Sequence, residues 1–339
     1  MVSYWRAECQ SSGNQIWYLL ASEVSIFFMY IPRFVQRLVL FSVTGICVTL
    51  ILSGKVFATT FEKVVFEKES PYQTVYVTRH DSMVNLRTGS KFASSSALDK
   101  SNPYRHVFEY TELMMMGLSY VDNPENALII GLGGGTLTKY LNKYYPDLKI
   151  DNIEMDPVVV NVAREYFDFA ESRTNQVYVM DGRRFLQKTD KKYDLIFLDA
   201  YYGSYIPFHL LTREFLNLVK SRLSEKGVAV SNTWRSPGLY ERESATWADV
   251  FGNFDSYLGR RSGNRVVIAT NSGIRYSEQE LIALMKSAQK ERGFEEINLP
   301  VLALSTLDRD PVWPADTQLL TDDFAPVNLL VDPRHRSTN

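Results

Sequence analysis

The middle of the chain carries a glycine-rich turn and three acidic residues, each at the end of an apolar run, where backbone and carboxylates can hold a polar ligand. Ala127-Leu128-Ile129-Ile130 leads into Gly131-Leu132-Gly133-Gly134-Gly135-Thr136, and a helical stretch, Leu137–Tyr144, follows. Gly131, Gly133 and Gly135 allow a tight turn and a close approach of backbone to ligand, and the helix start supplies unpaired N–H groups. The dinucleotide fingerprint requires glycine where Thr136 stands, so the pattern is G-x-G-x-G, which suits a nucleoside without pyrophosphate. Alone, such a turn can equally be a packing device.

The acidic residues narrow the choice. Glu154, in Ile153-Glu154-Met155-Asp156-Pro157, follows the first glycine at close to the offset of about 20 residues at which a carboxylate meets ribose hydroxyls. Asp181-Gly182 follows Val177-Tyr178-Val179-Met180, and a carboxylate there can accept from an adenine amino group. Asp199 follows Asp194-Leu195-Ile196-Phe197-Leu198, where it can attract a cation and orient a nucleophilic nitrogen, with Tyr201, Tyr202 and Tyr205 as candidate walls of the cleft. Taken singly, an acidic residue at a strand end is often only a helix cap.

These residues need elements that bring them to one edge. Short β-rich runs at Ala127–Ile130, Lys149–Glu154, Gln176–Met180, Tyr193–Leu198, Gly227–Ser231 and Arg265–Thr270 alternate with helical ones, which predicts an α/β, Rossmann-like parallel sheet binding a nucleoside. Before it, Phe61–Leu86 alternates as strands do, with Arg87-Thr88-Gly89-Ser90 as a turn signal, and predicts a small antiparallel β domain. The expected boundaries are an upstream extension at 1–28, a signal peptide or membrane anchor at 29–58, the small β domain at 59–104, the Rossmann-like domain at 105–298 and a C-terminal tail at 299–339.

Composition sets limits. The 339 residues are 45% hydrophobic, enough for a sizeable core, and 37 basic against 39 acidic residues leave no basic run after residue 60 to track a phosphate backbone; nucleic acid is excluded as a partner. Cys9 and Cys47 precede the folded region, and His80, His106, His209 and His335 show no ligand spacing, so no metal is expected. Leu38–Gly54 is uncharged and mostly apolar, between Arg33 and Arg37 on one side and Lys55 on the other. It reads as an export signal, with Val56-Phe57-Ala58 as the cleavage site, or as an anchor. A start at Met29 would give an ordinary signal layout; a second apolar stretch, Ile16–Ile31, is interrupted by Glu23. Localisation is accordingly expected to be membrane-anchored or periplasmic if 38–54 acts in this way, and cytoplasmic otherwise.

The order Glu69-Ser70-Pro71-Tyr72-Gln73, Tyr110-Thr111-Glu112, the glycine turn, Glu154-Met155-Asp156, Asp181-Gly182 and Asp199-Ala200-Tyr201-Tyr202 resembles the spermidine and spermine synthase family over roughly residues 65–275. The resemblance implies a homodimer and no permanently bound cofactor, with decarboxylated S-adenosylmethionine as co-substrate. It also implies that Gln73, Gly131, Gly133, Gly135, Glu154, Asp181 and Gly182 hold the methylthioadenosine part of that donor. Tyr110, Glu112 and Tyr202 would line the amine side, and Asp199 would be catalytic. Three departures stand out. Family members that make spermidine carry an aspartate inside the glycine turn, which is missing here; Tyr202 replaces a second aspartate; and Thr111 replaces a histidine or glutamine. Each lost carboxylate removes a charge-assisted contact of about 1.5–3 kcal/mol from a site for a cation. The expected reaction is aminopropyl transfer to an amine. The alternatives are methyl or alkyl transfer from S-adenosylmethionine itself, or nucleoside and polyamine binding without turnover.

Overall fold

The structure, a computed structural model, describes residues 62–92, 94–201, 207–308 and 311–330. The segment at 38–54, both cysteines, Tyr202 and Tyr205 lie outside the described residues. Among the described residues, no helix is long and apolar enough to cross a membrane.

The alternation after Phe61 produces a four-stranded antiparallel meander: β1 Lys63–Glu69, β2 Thr74–His80, β3 Met83–Thr88 and β4 Ser94–Asp99. Arg87 and Thr88, expected in a turn, complete β3, and the chain turns at Gly89, whose φ is 72°. One face of the meander has Val75, Val77, Val84, Leu86 and Leu98 buried against Val158, Val159, Val162 and Phe167.

The eight-stranded sheet is built from β5 Asn126–Ile130, β6 Lys149–Glu154, β7 Asn175–Val179, β8 Tyr193–Leu198, β9 Leu223–Trp234, β10 Asp255–Leu258, β11 Asn264–Thr270 and β12 Leu307–Asp308. Its order is β12-β10-β11-β9-β8-β5-β6-β7, with β7, β6, β5, β8 and β9 parallel and β11, β10 and β12 joined antiparallel at one end. Ala127, Leu128, Ile129 and Ile130 of β5 are all at most 2% exposed, as expected of a central parallel strand covered on both faces. The covering helices begin where the sequence caps them. Asp156 accepts from the Val158 N–H ahead of α3, Pro157–Tyr166, with proline at its first position; Asp181 accepts from the Arg184 N–H ahead of α4, Gly182–Lys188. Helices α1, Glu109–Met115, and α2, Thr136–Tyr144, precede them, and α5, Arg213–Arg222, and α6, Pro237–Phe251, follow.

The segment expected to be a tail is part of the packing. Helix α7, Glu278–Arg292, ahead of that segment gives Met285 to the core that holds Ile129 and Phe197; from the segment itself α8, Leu299–Thr306, adds Leu299 and Ala303 to it, β12 pairs with β10, and Leu320 and Val327 pack with Trp234 and Leu239. That segment shows no hydrophobic periodicity because its apolar residues serve different clusters.

Strand order reverses between β5 and β8, and at their carboxyl ends two chain segments meet in backbone contact. Gly131, with φ at 99°, lies so close that a Cβ built there would sit 2.3 Å from the Asp199 carbonyl oxygen. The Asp199 N–H donates to the Ile130 carbonyl at 2.8 Å. Gly131→Ala therefore combines left-handed strain with overlap against backbone and should destabilise the chain by about 3 kcal/mol. Gly89→Ala, with a similar φ but nothing within 4 Å, should cost only about 1 kcal/mol. Urea midpoints of the two full-length variants check this; equal losses would remove the Gly131 contact from the account.

Candidate active site

A cavity of about 570 Å³ opens at the reversal point, in the place where open α/β sheets bind ligands. Gln73, Tyr110, Gly131, Gly133, Glu154, Asp181, Gly182 and Asp199 all line it. Gly135 does not. It caps α2 at φ 75°, and a Cβ there would lie 2.5 Å from the Phe169 ring, so this glycine serves packing.

At the end of the cleft beside β6, Glu154 braces the glycine turn. Its carboxylate accepts from the Leu132 N–H at 3.1 Å and the Asp156 N–H at 3.0 Å, with Gly133 a further donor. Burial nevertheless raises its pKa, against the pull of those donors. Gln73 arrives from the turn between β1 and β2, which Ser70 ties to the main sheet by donating to Asp156 at 2.6 Å. The Gln73 side-chain oxygen is buried and has no hydrogen-bond partner among the described residues.

Asp181 is both a helix cap and a site residue. One oxygen accepts from the Arg184 N–H at 2.9 Å; the other lies 2.8 Å from His209 Nε2. Burial works to raise its pKa, but His209 and the helix N–H groups outweigh it and hold the carboxyl below its ordinary value. His209 is fixed in turn. Arg183 donates to its carbonyl at 3.3 Å while pairing with Asp322, and Asp322 also accepts from the Thr212 hydroxyl at 2.7 Å.

Asp199 stands at the centre. It is held by Asn232, whose side-chain amide donates to it at 2.8 Å, and by the Tyr110 hydroxyl; Asn264 in turn donates to Asn232 at 2.9 Å. Burial pushes the Asp199 carboxyl up to about 7, and these two donors restrain the rise. Tyr201 lines the same wall, donates to the Asn232 carbonyl at 2.8 Å and meets Trp234 edge-on.

Glu112 is not brought to this cleft. It lines a neighbouring cavity of about 600 Å³, and Glu109, one turn earlier on α1, lines the main cleft, where it accepts from the Arg260 and Arg261 N–H groups at 3.1 and 2.7 Å. Three contributors escaped the sequence reading. Asn232 lies near the end of β9, so the strand-end rule that found Asp181 and Asp199 reaches it. His209 carries a weaker signal, a histidine shortly after the strand-end Asp199. Arg261, between β10 and β11, has no local signal. Among the described residues no group of acidic, histidine or cysteine side chains could hold a metal ion.

The arrangement brings the glycine turn, Gln73, Glu154, Asp181 and the half-buried Asp199 carboxylate to one cleft. Comparisons with known proteins bear on the family and the fold. Residues 107–254 match the spermine/spermidine synthase domain. A polyamine aminopropyltransferase from Vibrio vulnificus is 37% identical over 276 residues, covering 79% of this chain and 91% of that protein. A probable spermidine synthase from Corynebacterium glutamicum shares the fold, with a TM-score of 0.60 at 17% identity over 78% of this chain and 99% of that one. Human methyltransferase-like protein 13, solved with SAH, shares it less fully, with a TM-score of 0.51 at 24% identity over 56% of this chain and 94% of that one. The chain belongs to the spermine/spermidine synthase family of polyamine aminopropyltransferases.

Proposed function

We propose that this enzyme moves an aminopropyl group from decarboxylated S-adenosylmethionine to an amine, with Asp199 as the proton acceptor. The observation that carries the reading is Asp199 itself, a half-buried carboxylate at the strand reversal, held by Asn232 and Tyr110 and facing a cleft that Gln73, Glu154 and Asp181 also line. The amine nitrogen attacks the propyl carbon next to the sulfonium; the C–S bond breaks and its electron pair stays on sulfur, giving methylthioadenosine. The proton lost by the nitrogen passes to Asp199 and then to solvent. Gln73, Glu154 and Asp181 would hold the methylthioadenosine portion, with Asp181 accepting from the adenine amino group.

A second reading, methyl or alkyl transfer from S-adenosylmethionine, is favoured by one observation. The turn Gly131–Gly135 has no acidic side chain that would repel the donor's carboxylate. A mass-spectrometric product assay of the full chain separates the two: methylthioadenosine with an aminopropylated amine supports the first, adenosylhomocysteine the second, and ligand binding with neither product a binding protein. Residues 38–54 are proposed to associate the chain with a membrane, or to direct its export, on their charge pattern alone, and a homodimer is proposed from family likeness.

Two outcomes follow from the geometry. Asp199 must be ionised to take the proton, so kcat/KM for the amine should rise with pH through a limb near 7. Asn232→Ala removes a donor to the charged form and should shift that limb upward, while Asp199→Asn should cost about a hundredfold or more in kcat with methylthioadenosine binding kept. A limb that stays in place in Asn232→Ala, or a normal rate in Asp199→Asn, would place the proton acceptor elsewhere. At the other end, Asp181→Asn keeps the cap but loses the charge, and should weaken methylthioadenosine binding about tenfold at nearly unchanged stability. Asp181→Ala should also lower stability by about 1 kcal/mol. Calorimetric titration and urea midpoints read the two effects separately, and unaltered affinity in Asp181→Asn would confine Asp181 to capping.

A further inference from the structure

Asn232 joins Asp199 to the antiparallel end of the sheet, and its side-chain amide has two unlike ends. The NH2 end stabilises an ionised carboxylate; the oxygen end, turned to Asp199, could accept only from the protonated form. The main chain leaves this choice open. Asn232 is fixed in β9 opposite Val266, and its carbonyl accepts from the Tyr201 hydroxyl at 2.8 Å, but neither contact reaches the end of the side chain. Rotation about the last side-chain bond would exchange Oδ1 and Nδ2.

Asn264 removes that freedom. Its amide donates to Asn232 Oδ1 at 2.9 Å, and Asn232 Nδ2 donates to Asp199 Oδ1 at 2.8 Å, so the two bonds run in one direction and each strengthens the other. Asn264 is itself well placed. It opens β11 opposite Trp234, its carbonyl accepts from the Gly259 N–H at 2.9 Å, and the hairpin before it is tied to β9 by the Arg235 N–H, which donates to the Gly263 carbonyl at 2.7 Å. On the other side Glu109 of α1 holds the Arg260 and Arg261 N–H groups. Helix α1 therefore secures Asp199 by two routes, through the Tyr110 hydroxyl and through the hairpin that Glu109 fixes and that sets Asn264.

Resting on the reading of Asp199 as the proton acceptor, we infer that Asn264 is a positioning residue: by occupying Asn232 Oδ1 it holds the amide hydrogens of Asn232 on Asp199 and keeps that carboxylate ready to accept. Beyond burial, what acts on the Asp199 carboxyl is the pair of donors Asn232 and Tyr110. Of the titratable groups around it, Tyr110 from α1 and Tyr201 just after β8 are held protonated by burial, with Glu243 of α6 acting on Tyr201 in the same sense. Glu109, Glu154, Asp181, His209 and Arg261 line the same cleft. Asn264 carries no charge at any pH, so an Asp199 midpoint that moves when Asn264 is removed reports orientation rather than a lost charge.

The test is isotope-edited infrared titration of the full chain without substrate, with Asp199 identified by difference against Asp199→Asn, in the wild type, Asn264→Ala, Asn232→Ala and the double variant. Asn264→Ala should raise the Asp199 midpoint by about half a pH unit and Asn232→Ala by about one, the range of a single neutral donor, and the double variant should match Asn232→Ala alone. If Asn264 only filled space, its removal would admit water and lower the midpoint. Asn264→Asp, which keeps the shape should alanine unfold the chain, can only accept. It turns the Asn232 amide round and should raise the midpoint by about one pH unit or more, but by clearly less when Asn232 is alanine and only the added charge acts. An unmoved or lowered midpoint in Asn264→Ala, additive shifts in the double variant, or the same rise for Asn264→Asp with and without Asn232 would overturn the inference. Midpoints that shift as expected while the pH limb of kcat/KM stays in place would instead overturn the choice of Asp199 as proton acceptor, since the titration needs no turnover.

Discussion

The contact between Gly131 and the backbone of Asp199 is the constraint on which the site depends. It joins the ends of β5 and β8, which run side by side but send their following helices to opposite faces of the sheet. At that point the glycine turn and Asp199 share one wall, and no side chain fits between them. Glu154 then fixes the turn from the β6 side through the Leu132 N–H, and Asn232 fixes Asp199 from the β9 side. Four neighbouring parallel strands each contribute one element of a single rigid edge. Placement of reacting groups on strand ends rather than on long loops limits their motion, as catalysis by orientation demands.

The helix-cap reading of the strand-end acids and their ligand reading are compatible. Asp156 caps α3 and is otherwise spent on Ser70, which fastens the Gln73 turn. Asp181 caps α4 with one oxygen and uses the other towards the cleft. A carboxylate has about four acceptor positions, so one residue can start a helix and still face a ligand. Glu154 and Asp199 cap nothing, and they are the two whose pKa burial raises.

Much of this was legible because it is local. A glycine turn between strand and helix, and acids at strand ends, are short patterns, and the parallel sheet that gathers them follows from alternation of elements. Legibility failed where tertiary packing decides. Glu109 and Glu112 lie one turn apart on α1, and only the position of the β10–β11 loop makes the first a wall of the cleft and leaves the second behind Arg261. His209 has no spacing rule, because it is held by Arg183 and Asp322 from distant parts of the chain. The C-terminal segment was opaque for the same reason: Leu299 packs into one cluster and Leu320 and Val327 into another, so no period connects them.

Burial of Asp199 also bears on how an acceptor loses its proton. An alkylammonium in water has a pKa of about 10.4, so transfer to a carboxyl near 7 would be uphill by roughly 4–5 kcal/mol. The same desolvation that raises the carboxyl lowers an ammonium brought beside it, because each charged form is disfavoured by the apolar surroundings. The two pKa values move towards one another in one dry site, and the gap narrows without any added base. An extra carboxylate close to Asp199 would have the opposite effect on the ammonium and hold its proton on.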